Sequence, residues 1–345
     1  MSQPSGANIS RKKQILDIPG RICLFGDKVD LIGKPVIAAT LNKFMHFKIS
    51  QRDDKMVHLS SREYPGEDET FSIDDNGSIM KFDNHLRFWH ACLKVLLDHG
   101  FKFDQGFTIQ AWTDLPIGAG LSTSAASSVG FISALNVLFG LKLTGMQIAE
   151  YAYNAEHDVL GIMCGRMDQY SIANGGISFI ETGDIPRVTR INVNKNLPLV
   201  LADSCEAREA KRVLNHTKLQ IEQGNEQFLR ALDTVHHTVI EARKHLENGC
   251  DLHALGNLMN AHQKQENIMS ASTDKLNSLC KIALDNGALG AKQMGAGGGG
   301  CMLALCPDSL VQGEVVKAIN SAGGKAEAIT ISNVVVNRGT VINHG

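Results

Sequence analysis

Three hydroxyl side chains in a row, Ser122, Thr123 and Ser124, follow two glycines, Gly118 and Gly120, in the stretch LPIGAGLSTSAASS at residues 115–128. Glycine takes positive φ readily and lets a backbone approach a ligand closely. Hydroxyls at the start of a helix can cap it, or bind phosphate or a metal. The stretch lacks the Gly-Lys-Ser/Thr ending of a Walker A loop. Two readings therefore stand on its residues alone: a phosphate cradle of another design, or a turn capped by one serine. A second run, GAGGGG at residues 295–300, lies between two apolar, β-like segments. Glycine is unfavourable for an ordered chain by about 1 kcal/mol relative to alanine. Such a run implies close approach to a ligand or a tight crossing, and its apolar flanks argue against a linker.

Charge comes from two further stretches. EHDVLGIMCGRMDQ, residues 156–169, contains Glu156, His157 and Asp168. Phosphoryl transfer requires a carboxylate to hold Mg²⁺ and a group to orient the attacking hydroxyl. Glu156 and Asp168 are of the right type, although isolated acids are commonly surface residues, and His157 fits a helix surface as well as a ligand. PGRICLFGDKVDLIGKP, residues 19–35, gathers Arg21, Asp27, Lys28 and Asp30 around a glycine-bounded turn after a strand. Carboxylates so placed accept hydrogen bonds from a polyhydroxylated substrate, while a merely charged turn has the same composition.

These residues need elements to position them. FTIQAWT at 107–113 alternates as a strand, the glycine segment follows, and 125–139 has the length and apolarity of a helix. Strand, glycine loop and helix together aim backbone N–H groups at an anion. Strands are predicted at 21–25, 36–49, 175–181 and 198–203, and helices at 86–97, 145–158, 251–269, 274–286 and 309–322. One or two long polar helices fill 206–247, strands flank GAGGGG, and further strands close the chain. Residues 63–78, rich in Asp, Glu, Gly and Pro, predict a loop or hairpin. The 345 residues suit two domains. The division expected is a polar tail over 1–17, a first domain over 18–195 and a second over 196–345.

A formal charge of −2 argues against nucleic acid as a partner. The Arg11-Lys12-Lys13 cluster reads as part of a solvated tail. Eight scattered cysteines without a Cys-x-x-Cys pair indicate neither a disulfide framework nor a zinc site. No leader-like or membrane-length apolar run is seen, so the chain reads as cytoplasmic, with no membrane partner.

Taken together and in order, PGRICLFGDKVDL, LPIGAGLSTSAA and KQMGAGGGGC resemble the three motifs of the GHMP kinase superfamily, with EHDVLGIMCGRMDQY and Arg21 similar to its galactokinases. The resemblance implies an α+β, two-domain fold with the active site in the cleft between domains, acting as a monomer or homodimer. It implies ATP and Mg²⁺ as cofactors and a monosaccharide as acceptor, a galactose-like sugar or uronic acid, at its anomeric hydroxyl. By the same resemblance Asp168 is the base or orienting carboxylate and Arg21 its partner. Residues Pro116, Gly118, Ala119, Gly120, Leu121, Ser122, Thr123 and Ser124 surround the nucleotide, and Ser124 and Glu156 hold the metal. Asp27, Lys28, Asp30, Gly165 and Asp168 meet the substrate, while Gly295, Gly297 and Gly298 buttress the site. Galactokinases typically read Gly-Glu-His-Thr-Asp-Tyr where this chain has Gly26 to Leu31, and IGKPVIAA at 32–39 looks more like a mevalonate kinase. Lys28 is accordingly expected to add a cation to the substrate pocket. A mevalonate-type kinase and a weakly catalytic sugar sensor are the alternatives.

Overall fold

A computed structural model describes residues 14–75, 80–118 and 120–336. The first sheet is built on two long strands, β1 (Gln14–Phe25) and β2 (Val36–Gln51), paired antiparallel. The two halves of β2 pair in turn with β6 (Ile177–Glu181) and β5 (Phe107–Thr113). Strands β3 (Met56–Ser61) and β4 (Glu69–Ser72) extend the sheet beyond β5, and β7 (Arg187–Ile191) extends it beyond β6. The second sheet is antiparallel in the order β11 (Lys325–Ile329), β8 (Leu199–Asp203), β10 (Cys301–Leu305), β9 (Gly290–Gln293). The chain passes from one sheet to the other between Ile191 and Leu199.

The strand expected at 107–113 is β5 to the residue. The helix after the glycine loop is α2 (Thr123–Phe139), whose apolar residues occupy its whole circumference because it is buried on all sides. At Gly130 it lies so close to β2 that a β-carbon would stand 2.1 Å from the Phe47 ring. Helix α1 (Arg87–Asp98) buries Trp89, Leu93 and Leu96 at helical spacing and stops at His99-Gly100, the glycine having φ +83°. The polar stretch 206–247 forms two helices, α5 (Ala210–Glu222) and α6 (Glu226–Glu247), split at Gly224 (φ +65°) and restarted by the Asn225 side chain, which accepts from the Phe228 N–H. Helices α7 (Leu252–Ile268), α8 (Asp274–Asp285) and α9 (Ser309–Ser321) complete the second half, where Leu276, Leu279, Met302, Val315 and Ile319 form a core of their own.

The loop or hairpin expected from residue 63 is a hairpin in its described part, β4 pairing antiparallel with β3. Phe71 of β4 is buried. The helix expected over 145–158 is α3 (Gly145–Asn154) running into a π-helical turn, Ala155–Val159. No helix of the described residues is long and apolar enough to cross a membrane.

Candidate active site

Arg21 lies on β1, and Asp168 in the first turn of α4 (Met167–Asn174). Arg21 Nε donates to Asp168 Oδ1 at 2.7 Å, with Nη2 2.6 Å from the same oxygen. Its Nη1 donates to the Gly120 carbonyl at 2.9 Å, and its backbone N–H to the Leu121 carbonyl. The guanidinium thus clamps the glycine loop and the α4 carboxylate to one strand. Burial disfavours the Arg21 charge, and Asp168 outweighs that effect, so the group is held above its ordinary pKa and stays cationic.

The serine expected as a helix cap does not act as one. Ser122 is the residue before α2 and has φ +59°, a conformation uncommon outside glycine and asparagine. Its hydroxyl makes no cap bond and donates instead to Asp168 Oδ2 at 2.6 Å. The first-turn N–H groups of a helix have no intrahelical acceptor, and here the serine that would cap one is turned away. Those donors border a cavity of about 340 Å³ lined by Gly118, Gly120, Ser122, Thr123, Ser124 and Asp168. Ile117, Tyr64, His85 and Phe88 close it with apolar and aromatic surface. Pro116 is exposed, Leu121 is wholly buried in the core, and Ala119 lies outside the described residues.

A second arginine enters this cavity from the other half of the chain. Arg208 precedes α5, and its guanidinium covers both glycine segments: a β-carbon at Gly120 would lie 3.4 Å from Cζ, and one at Gly295 3.0 Å from Nη2. Burial first, and Arg21 second, disfavour its charge and lower its pKa. A guanidinium over helix N–H groups that no side chain caps suits an anion. Arg208 was not among the residues singled out from the sequence. The third glycine run supports this arrangement. Gly298 accepts a hydrogen bond from the Glu209 N–H at 2.7 Å, and side chains at 297 or 299 would strike the carbonyls of Ala271 or Ala207 at 2.2 and 2.9 Å.

Glu156 is presented by the π-helical turn, a distortion frequent at functional sites. It is 3% exposed, accepts from Gln169 Nε2 at 3.0 Å, and has the Ser124 hydroxyl directed at it. Burial raises its carboxyl to about 7, and no cation is among the largest influences on it. A buried carboxylate beside a hydroxyl, short of countercharge and next to the orphaned Gln169 Oε1, fits a hard divalent cation with oxygen ligands.

Asp30 and Gly165 lie where a second cavity, of about 490 Å³, begins; Tyr153, Cys164, Arg166 and Thr182 also line it. A β-carbon at 165 would stand 2.0 Å from Asp30 Oδ2, so glycine is required there for the carboxyl to fit. Burial, then the proximity of Asp168, raises the Asp30 carboxyl to about 7 from an ordinary 3.8. Because the native pKa lies above the unfolded one, the folded chain retains a proton that the unfolded chain releases, and stability falls as pH rises between the two values. Asp30→Asn should therefore raise the melting temperature at pH 8, with the gain shrinking toward pH 5, as a thermal-shift series across that range would record.

The structure does not bring Asp27 and Lys28 to this cavity. Asp27 is 0% and Lys28 3% exposed. Asp27 is paired with Lys292 and accepts from the Gly295 N–H at 2.6 Å, while Lys28 Nζ donates to Glu266 of α7 at 2.5 Å. The cation expected at the substrate is neutralised inside the protein.

Comparison with known proteins agrees with this geometry. The family model described as GHMP kinases N terminal domain matches residues 87–176, and that described as GHMP kinases C terminal matches residues 244–325. A mevalonate kinase of Thermococcus gammatolerans is 31% identical over 330 residues, covering 91% of this chain and 95% of the relative. A galactokinase of Clostridium acetobutylicum is 28% identical, covering 88% and 87%. The crystal structure of Lactococcus lactis galactokinase complexed with galactose superposes with a TM-score of 0.80 at 20% identity, over 93% of this chain and 94% of that one.

Proposed function

Because the chain belongs to the GHMP kinase family, we propose that it transfers the γ-phosphoryl group of ATP to a hydroxyl of a neutral, polyhydroxylated acceptor of the monosaccharide type. The observation that carries the acceptor class is a pair of carboxyl groups, Asp30 lining the second cavity and Asp168 lining the first. Burial, and then Asp168, raises the Asp30 carboxyl, and Asp30 is wedged against Gly165. Carboxyl groups so placed accept hydrogen bonds from substrate hydroxyls. Arg21 is occupied by Asp168, and Lys28 by Glu266, so neither cation is left to bind an acid group. A uronic acid loses the support that an exposed Lys28 would have given it.

In this reading the loop 118–124 and the N-terminus of α2 hold the phosphates, and Arg208 neutralises charge at the transferred group. Asp168 orients or deprotonates the acceptor hydroxyl, and Arg21 holds that carboxylate in place. Ser124 and Glu156 hold Mg²⁺, which when bound offsets charge on the β- and γ-phosphates. Overall likeness to mevalonate kinases is the observation that favours the second reading, a mevalonate-type acceptor. An ADP-release assay against hexoses, heptoses, inositols, uronic acids and mevalonate separates them. Turnover on a neutral polyol is the expected result, and turnover on mevalonate alone would overturn the proposal. Nucleotide binding without ADP release on any acceptor would indicate a sensor.

A further inference from the structure

Seven side chains that the mechanism above does not use, Gln293 of β9 among them, form one buried polar network between the two halves of the chain. Asp27 and Lys28 follow β1, His262, Gln263 and Glu266 lie on α7, and Lys292 is on β9; none is more than 8% exposed. Glu266 accepts from Lys28 at 2.5 Å, from Gln293 Nε2 at 2.8 Å, and faces His262 at 3.2 Å. Asp27 faces Lys292 and His262, and Gln263 accepts from the Gln293 N–H at 2.6 Å. Burial would raise the Asp27 carboxyl, but Lys292, followed by His262, outweighs it and holds it at about 2. Burial, and then Lys292, lowers the pKa of His262, so the network balances two carboxylates against two ammonium groups. Asp27, His262 and Glu266 are close enough to share a metal ion, but the two lysines already supply the positive charge.

The network converges on one peptide. The Gly295 N–H donates to Asp27, and its carbonyl accepts from Lys28 Nζ at 3.3 Å and Gln293 Nε2 at 3.2 Å. Gly295 in turn is the surface on which the Arg208 guanidinium rests. We propose that this buried network is a positioning device that fixes the Gly295 turn, and through it the Arg208 guanidinium, over the phosphate cavity. The effect on rate rests on the kinase reading, whereas the effect on Arg208 does not. A guanidinium that acts on charge developing during transfer loses most of its value when displaced by about 1 Å, and the loss falls on kcat rather than on substrate binding.

The test uses two charge-balanced variants, Lys28→Met/Glu266→Gln and Asp27→Asn/Lys292→Met. Removing both partners avoids the uncompensated buried charge that would unfold the chain. Crystal structures of both variants are expected to show Gly295 and Arg208 displaced. Turnover with the acceptor found for the wild-type enzyme should fall about 10–100-fold while the KM for ATP changes less than threefold. Arg208 superposing on its wild-type position in both folded variants, or an unchanged kcat, would overturn the proposal. If the wild-type chain phosphorylates nothing, the kinase reading fails and the position of Arg208 alone decides this one.

Discussion

Asp168→Asn is expected to lower kcat by about 10²–10⁴-fold, the range for loss of a positioned general base together with its charge. The substitution is close to isosteric. Its carbonyl oxygen can keep the Arg21 hydrogen bonds, and its amide can donate to the Ser122 oxygen, so the loop geometry survives. What it cannot do is take a proton or balance the buried Arg21 charge, so a lower melting temperature accompanies the loss. Calorimetric titration of ATP should give affinity within about threefold of wild type, because the cavity wall formed by residues 118–124 is unaltered. Near-wild-type turnover would remove Asp168 from the chemistry.

Arg208→Met carries the second large effect, and its sign on stability is the opposite. No ion pair holds Arg208 among the described residues, and it lies half-buried beside Arg21. Replacing it with an apolar chain of similar length removes a desolvated cation, so the melting temperature should hold or rise. Turnover should fall about 10³-fold, at the low end of what an arginine acting on a transferred phosphoryl group supplies. Loss of rate without loss of stability separates a functional arginine from a structural one. A variant with kcat within threefold of wild type would show that Arg21 and the helix N-terminus suffice.

Much of the site could be read along the chain because its parts are local. The alternation of FTIQAWT, the glycines after it and the apolar run of α2 are short-range signals, and they place residues 118–124 at a helix N-terminus before any tertiary contact is known. The π-helical turn under Glu156 had no such signal: its residues read as a continuation of α3.

The residue types and the order of the three glycine and charge motifs are written in the sequence, and with them the phosphate loop, the Arg21 and Asp168 pair as candidates, and the kind of chemistry. Depth is not. Lys28 stands two residues from Asp30 in the chain, yet one is consumed by Glu266, 238 positions away, and the other lines a cavity. Arg208 becomes a phosphate-site residue only because β8 delivers the segment after it against glycines 120 and 295. Whether a charge is spent inside the protein or left for a ligand depends on which distant partner burial forces upon it, and only the packed tertiary structure decides that.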